Sequence, residues 1–142
     1  VTAENGSNDA QIGDELAVFD GRQVSIAIKV RDPSGLNHAG NNPQVNRIDL
    51  IAGKVQDRFS DLETDEVSTT AVIARFDSDD WQIDGEYLTM NYTIDLEANS
   101  YIRVRGTSTN ELEPLPDALP ENPWDDLWFY TNPIFLTIEG NN

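Results

Sequence analysis

Between Gln23 and Arg31 the chain alternates without a break. Val24, Ile26, Ile28 and Val30 take every second place, and Gln23, Ser25, Ala27, Lys29 and Arg31 fill the others. Side chains of an extended backbone point to opposite faces in turn, so the pattern specifies a strand with one dry face and one wet face. Asp32-Pro33-Ser34-Gly35 stops it with turn chemistry. The dry face needs a cover, and a second sheet supplies one. Further strands are expected at Glu15–Phe19, around Ile48, Leu50 and Ala52, and at Thr69–Phe76, Glu86–Asp95, Ser100–Thr107 and Ile134–Ile138. No segment has convincing helical periodicity. The expected fold is all-β, an antiparallel immunoglobulin- or fibronectin-like β-sandwich of about seven strands.

At 142 residues the chain has the length of one domain. Leu112–Trp128 forms a long loop before the last strand. It carries Pro114, Pro116, Pro120 and Pro123, which exclude helix and central strand, together with Trp124 and Trp128. Val1–Gly13 is polar, rich in Asn, Gly and Ser, and reads as a flexible N-terminal linker, which leaves residues 14–142 for the sandwich. That segment has neither the basic nor the apolar part of a leader, so the chain reads as a mature form or an excised domain.

Charge narrows the partners. Nine Lys and Arg stand against 26 Asp and Glu, a net charge of −17. A nucleic-acid binder needs a basic face, so nucleic acid is not an expected partner. No apolar run approaches the roughly 20 residues of a membrane helix, and membrane insertion is not expected. The absence of cysteine removes thiol catalysis and cysteine-bound metal, and His38 alone cannot build a multi-histidine centre. High acidity suits an exported, periplasmic or extracellular setting, where self-repulsion keeps protein dissolved.

Four groups of residues invite a functional reading. Asp77, Asp79 and Asp84, around Trp81, offer hard oxygen ligands for calcium if their loop curls, although the spacing is not that of an EF-hand. A solvated acidic turn explains them more simply, since Asp caps turns. Trp124, Trp128 and Tyr130 belong to an aromatic cluster, Trp124–Tyr130, that leads into the last strand. They read as cover for one end of the sandwich or as an interface that docks on another domain; a sugar-stacking platform ranks behind both. Arg103 and Arg105 share a strand face with Tyr101 and are expected to pair with carboxylates on adjacent strands; they are also the natural partners for the seven carboxylates of residues 106–142, which hold no Lys or Arg, and a clamp for a ligand carboxylate or phosphate ranks behind. His38, in a Gly/Asn loop, reads as an exposed or capping residue with no serine–acid partner set to serve. No catalytic residue is nominated.

Three internal stretches and one closing stretch carry a family resemblance. The internal ones are Val24–Asp32 with Pro33, Val45–Gly53, and Tyr101-Ile102-Arg103-Val104-Arg105-Gly106-Thr107. The closing stretch runs Asn122-Pro123-Trp124-Asp125-Asp126-Leu127-Trp128-Phe129-Tyr130-Thr131-Asn132-Pro133-Ile134-Phe135. Together they resemble the C-terminal β-rich segment of bacterial metallohydrolases related to the polymerase and histidinol phosphatase (PHP) family. The resemblance implies a parent enzyme of the metal-dependent phosphoesterase type whose metal-binding motifs lie outside this chain. The chain itself would then be a non-catalytic accessory domain, partnered by the neighbouring catalytic domain of the same polypeptide. The alternative is a calcium-stabilised cell-surface or carbohydrate-binding module.

Overall fold

The computed structural model describes residues 1–19, 22–56, 67–114, 116, 122, 124 and 127–140. Among them are eleven strands and no α-helix: β1 (Thr2–Asn5), β2 (Asn8–Gln11), β3 (Glu15–Val18), β4 (Gln23–Arg31), β5 (Arg47–Lys54), β6 (Thr70–Phe76), β7 (Gln82–Asp84), β8 (Tyr87–Asp95), β9 (Ser100–Thr107), β10 (Trp128–Tyr130) and β11 (Ile134–Ile138). They form two facing sheets, one in the order β2-β1-β4-β8-β7 and the other β3-β11-β9-β5-β6, with β10 also on β9. The order β1-β4-β8-β7 against β11-β9-β5 is the A-B-E-D against G-F-C arrangement of an immunoglobulin-type sandwich. All pairings are antiparallel except β3 with β11, which run parallel.

The alternation in β4 is realised as read. Val24, Ile26 and Ile28 are buried, and Gln23, Ser25, Ala27 and Lys29 are exposed. β4 pairs with β8 over its whole length, from Gln23 opposite Asp95 to Arg31 opposite Tyr87. The register sets Leu88 and Met90 beside the β4 aliphatics. From the other sheet Leu16, Val18, Ile48, Leu50, Ile102, Val104, Ile134 and Leu136 complete the core. Each of these buried aliphatics contributes about 1.5–3 kcal/mol relative to exposure, and none has a polar atom to satisfy.

The N-terminal segment differs from its expectation as a flexible linker. Residues 2–11 form the β1–β2 hairpin, whose first strand pairs with β4 through Thr2–Ala27, Ala3–Ile26 and Glu4–Ser25. Ala3 and Ala10 are core residues, and the Asn5 side chain ties three segments together. Its Nδ2 donates to the Gln23 carbonyl at 2.8 Å, and its Oδ1 accepts the Phe19 N–H at 2.9 Å. The last strand, β11, has its expected bounds and is preceded by the short β10. β10 and β11 both lie along β9, and Thr131 joins them there. Its N–H donates to the Val104 carbonyl at 2.9 Å, and its hydroxyl accepts the Val104 N–H at 3.0 Å.

Candidate docking site at the loop end

The strand registers decide which loops meet. β4 ends at Arg31 beside Tyr87, where β8 begins. β5 begins at Arg47 opposite Thr107, where β9 ends, and β6 ends at Phe76 opposite Ile48. The connections 32–46, 77–81, 85–86 and 108–127 therefore emerge at one end of the sandwich. Loop 32–46 is folded around Asn37, whose Oδ1 accepts the N–H groups of Ala39 and Asn41, each at 3.0 Å. Asn37 Nδ2 reaches the Trp124 carbonyl at 3.4 Å. Leu127 N–H donates to Ser108 Oγ at 2.9 Å, and Ser108 N–H returns a bond to the Leu127 carbonyl at 3.1 Å. Ser108 and Leu127 are thus tied together, and Asn37 joins loop 32–46 to Trp124.

Between them lies a cleft of about 550 Å³ walled by Leu36, Val45, Trp124, Leu127 and Phe129. This is within the size range of ligand pockets. Leu36 is 73% exposed, Leu127 47% and Trp124 43%. Phe129 enters the floor because Gly106, its β9 partner, has no side chain; the ring lies directly on that backbone. The two charged side chains that line the cleft, Arg31 and Asp32, are already engaged. Arg31 donates to Glu86 Oε2 at 2.9 Å, and Asp32 Oδ2 accepts the Val45 N–H at 3.1 Å. The His38 ring stands edge-on to Trp124, centroids 4.3 Å apart. What the cleft offers a partner is therefore apolar surface.

A buried ion cluster holds the start of loop 108–127. Asp49 is 1% exposed although β5 turns it to the outer face of its sheet. Arg105 reaches its Oδ2 at 2.6 Å, Arg47 its Oδ1 at 3.1 Å, and Arg75 stands 3.7 Å from Oδ1. The same two inner arginines grip the loop. Arg47 donates to the carbonyls of Asn110 and Glu111, and Arg105 to the Leu112 carbonyl and the Glu113 carboxylate. The hydrogen bond from Arg105 holds the Glu113 carboxyl below the usual carboxylate range and raises the arginine further. Trp128 lies over this cluster, 5.4 Å from the Arg105 guanidinium carbon and 5.8 Å from that of Arg47.

The aromatic residues singled out from the sequence are divided by the fold. Trp124 is in the cleft. Trp128 and Tyr130 alternate along β10 on the outer sheet face, Trp128 over Arg47 and Arg105, and Tyr130, 48% exposed, over Arg103 at 5.7 Å. Arg105 meets the carboxylates expected of it, one on the adjacent strand and one in the following loop. Arg103 meets none among the described residues. His38 is exposed, and no hydrogen bond joins it to a serine or carboxylate among the described residues. Asp77 and Asp79 are used in their own turn. Asp77 Oδ1 accepts the Asp79 N–H at 2.9 Å, and the Asp77 N–H donates to Asp80 Oδ2 at 3.1 Å. Among the described residues no three His, Cys, Asp or Glu side chains gather as a metal ion needs, so Asp77, Asp79 and Asp84 are not brought together as the calcium reading required. Asp77 and Asp79 cap their own exposed turn, and Asp84 stands exposed at the end of β7. Leu36 and Val45 were not anticipated, and Leu127 and Phe129 were singled out only as members of the Trp124–Tyr130 cluster. The available signal was Leu36 itself, a lone large aliphatic inside Ser34-Gly35-Leu36-Asn37, where turn residues need no apolar neighbour. No family model, curated protein or solved structure matches this chain.

Proposed function

We propose that this chain is a non-catalytic β-sandwich module that docks on a neighbouring domain through its loop-end cleft. One observation carries the reading: Leu36, Trp124 and Leu127 are large, apolar and exposed, and all three line one cleft in a chain whose net charge is −17. Exposed apolar side chains scattered singly need no explanation, but a contiguous patch in a cleft marks an interaction site. Tryptophan in such a setting is the residue type that dominates interface energetics. The resemblance of the sequence stretches to metallohydrolase tails nominates the neighbour, a metal-dependent hydrolase domain of the same polypeptide. The cleft contributes anchoring surface and no reacting group.

The test compares Trp124 in two settings. Hydroxyl-radical footprinting is carried out on the isolated chain and on the native polypeptide recovered from source cells with an antibody to this domain. The native band is expected to be several times larger than 15.8 kDa. Oxidation of Trp124 and Leu36 should fall several-fold in it, with Phe19, 42% exposed at the opposite end, unchanged. Equal oxidation of Trp124 in both preparations overturns the reading.

A further inference from the structure

The outer face of the β3-β11-β9-β5-β6 sheet carries a second, independent feature. Arg47, Arg75, Arg103 and Arg105 all stand on it, four of the chain's nine basic residues. Three of them share Asp49, and Arg105 also holds Glu113. Arg103 has no carboxylate partner among the described residues. The residue opposite it on β5 is Ile51, which is buried, and beyond that on β6 is Val72. On its own strand Tyr101 comes next, with its hydroxyl already bonded to Thr70 Oγ1 at 2.8 Å. Tyr130 lies beside the guanidinium, and Arg103 Nε is buried with no hydrogen-bond partner. Glu15, at the far β3 edge, is bonded to the Thr137 hydroxyl.

An arginine without a carboxylate partner among the described residues stands out in a chain with 26 carboxylates and nine bases. Its surroundings are also those in which a carboxylate binds best. Apolar neighbours lower the local dielectric and strengthen the attraction, and the planar guanidinium can take a carboxylate through two parallel bonds. Tyr130 and Phe135, 48% and 43% exposed on the same face, supply apolar contact on either side. We propose that this face is a second docking surface, and that it receives an acidic peptide segment of another protein, with a carboxylate on Arg103 and an aromatic or aliphatic side chain against Tyr130 and Phe135. A second copy of the chain is disfavoured as the occupant because it would set a whole charge of −17 against another −17, whereas a short segment brings only a few carboxylates, beside the arginines of this face.

The chain can be titrated by NMR with a short blocked peptide of alternating glutamate and phenylalanine, and with the same peptide carrying glutamine in place of glutamate. The glutamate peptide should shift the Arg103 Nε–H and Tyr130 ring signals saturably. Binding should weaken about tenfold or more for the glutamine peptide and for Arg103→Gln, with Arg103→Lys in between. Tyr130→Leu, which leaves the arginine in place, should weaken binding too and guards against misfolding of the Arg103 variants. Equal affinity for the two peptides overturns the proposal, as do shifts confined to Leu36 and Trp124. Sedimentation that shows a dimer closed over Arg103 assigns the face to a second copy and also overturns it.

Discussion

Asp49 is as buried as the aliphatic core, yet it sits on the outer face of its sheet between three arginines. A buried pair broken on one side leaves an uncompensated charge, so Asp49→Asn should cost about 3–5 kcal/mol in urea unfolding. It should also release the carbonyls of residues 110–112 from Arg47 and Arg105, which amide exchange in the loop would register. The exposed pair Arg31–Glu86 is different, with side chains 61% and 47% exposed; Glu86→Gln should change stability by no more than about 1 kcal/mol. Glu113 adds a pH dependence whose sign is fixed. Its folded-state value is depressed, so its contribution is fully present above the ordinary carboxylate range and is lost as pH falls through the depressed value. Because the side chain is 63% exposed, that contribution is at most about 1 kcal/mol. Glu113→Gln should remove it at neutral pH and flatten the acid limb of the stability curve by the same amount; an unchanged acid limb would count against the pairing. Gly106 tests the cleft floor. A Cβ there would fall 2.2 Å from Phe129 Cζ, so Gly106→Ala must move the ring, at a cost of about 1–3 kcal/mol and with a changed near-ultraviolet spectrum.

At the scale of elements, the seven strands expected from the sequence are all present as β3, β4, β5, β6, β8, β9 and β11. The four that were not anticipated are all short, with four residues in β1 and β2 and three in β7 and β10; of the anticipated strands only β3, with four, is as short. Three or four residues span too few periods for alternation to stand out. The β1–β2 hairpin had a second disguise. Each of its strands contributes one small core residue, Ala3 or Ala10, among polar neighbours, so the composition looked like a linker. Its turn signal was present: Gly6-Ser7 connects the paired Asn5 and Asn8, and Gly6 has φ of 63°, as the first position of a two-residue hairpin turn can require. The cleft was less legible for another reason. It joins Leu36 to Trp124 across most of the chain, and no local period encodes contact between two loops. The hairpin's importance can be measured. Removing residues 1–11 deletes the two Asn5 side-chain bonds and leaves the Gln23 carbonyl and Phe19 N–H without partners, a loss of about 2 kcal/mol or more before any apolar burial is counted. The melting temperature should fall by roughly 5–10 °C. The truncated chain should also self-associate, because β4 would become a nine-residue open edge. A truncated chain that stays monomeric with an unchanged melting point would show the hairpin to be dispensable.

For the whole molecule the deciding quantity is the imbalance of 26 acidic against nine basic residues. Salt acts on it in two opposing ways. It screens exposed pairs such as Arg31–Glu86 and Lys54–Glu97, which destabilises, and it screens the repulsion among the surplus carboxylates, which stabilises. The first effect is small, because such pairs contribute about 0–1 kcal/mol each, and the Asp49 cluster is too buried to be screened much. The second is large at low ionic strength. The screening length is about 30 Å at 0.01 M, longer than the domain's radius of gyration of roughly 14 Å, so every carboxylate feels the others. At 0.15 M it contracts to about 8 Å and only near neighbours interact. The melting temperature at neutral pH should therefore rise by several degrees between these two concentrations of sodium chloride, and most of the rise should be complete by the higher one. The same repulsion keeps copies of the chain apart even though each exposes an apolar cleft, so sedimentation at 0.01 M should show a monomer. A melting temperature that falls as salt is added would mean that paired surface charges outweigh the surplus, and the acidic composition would then have to be explained by what the surface binds.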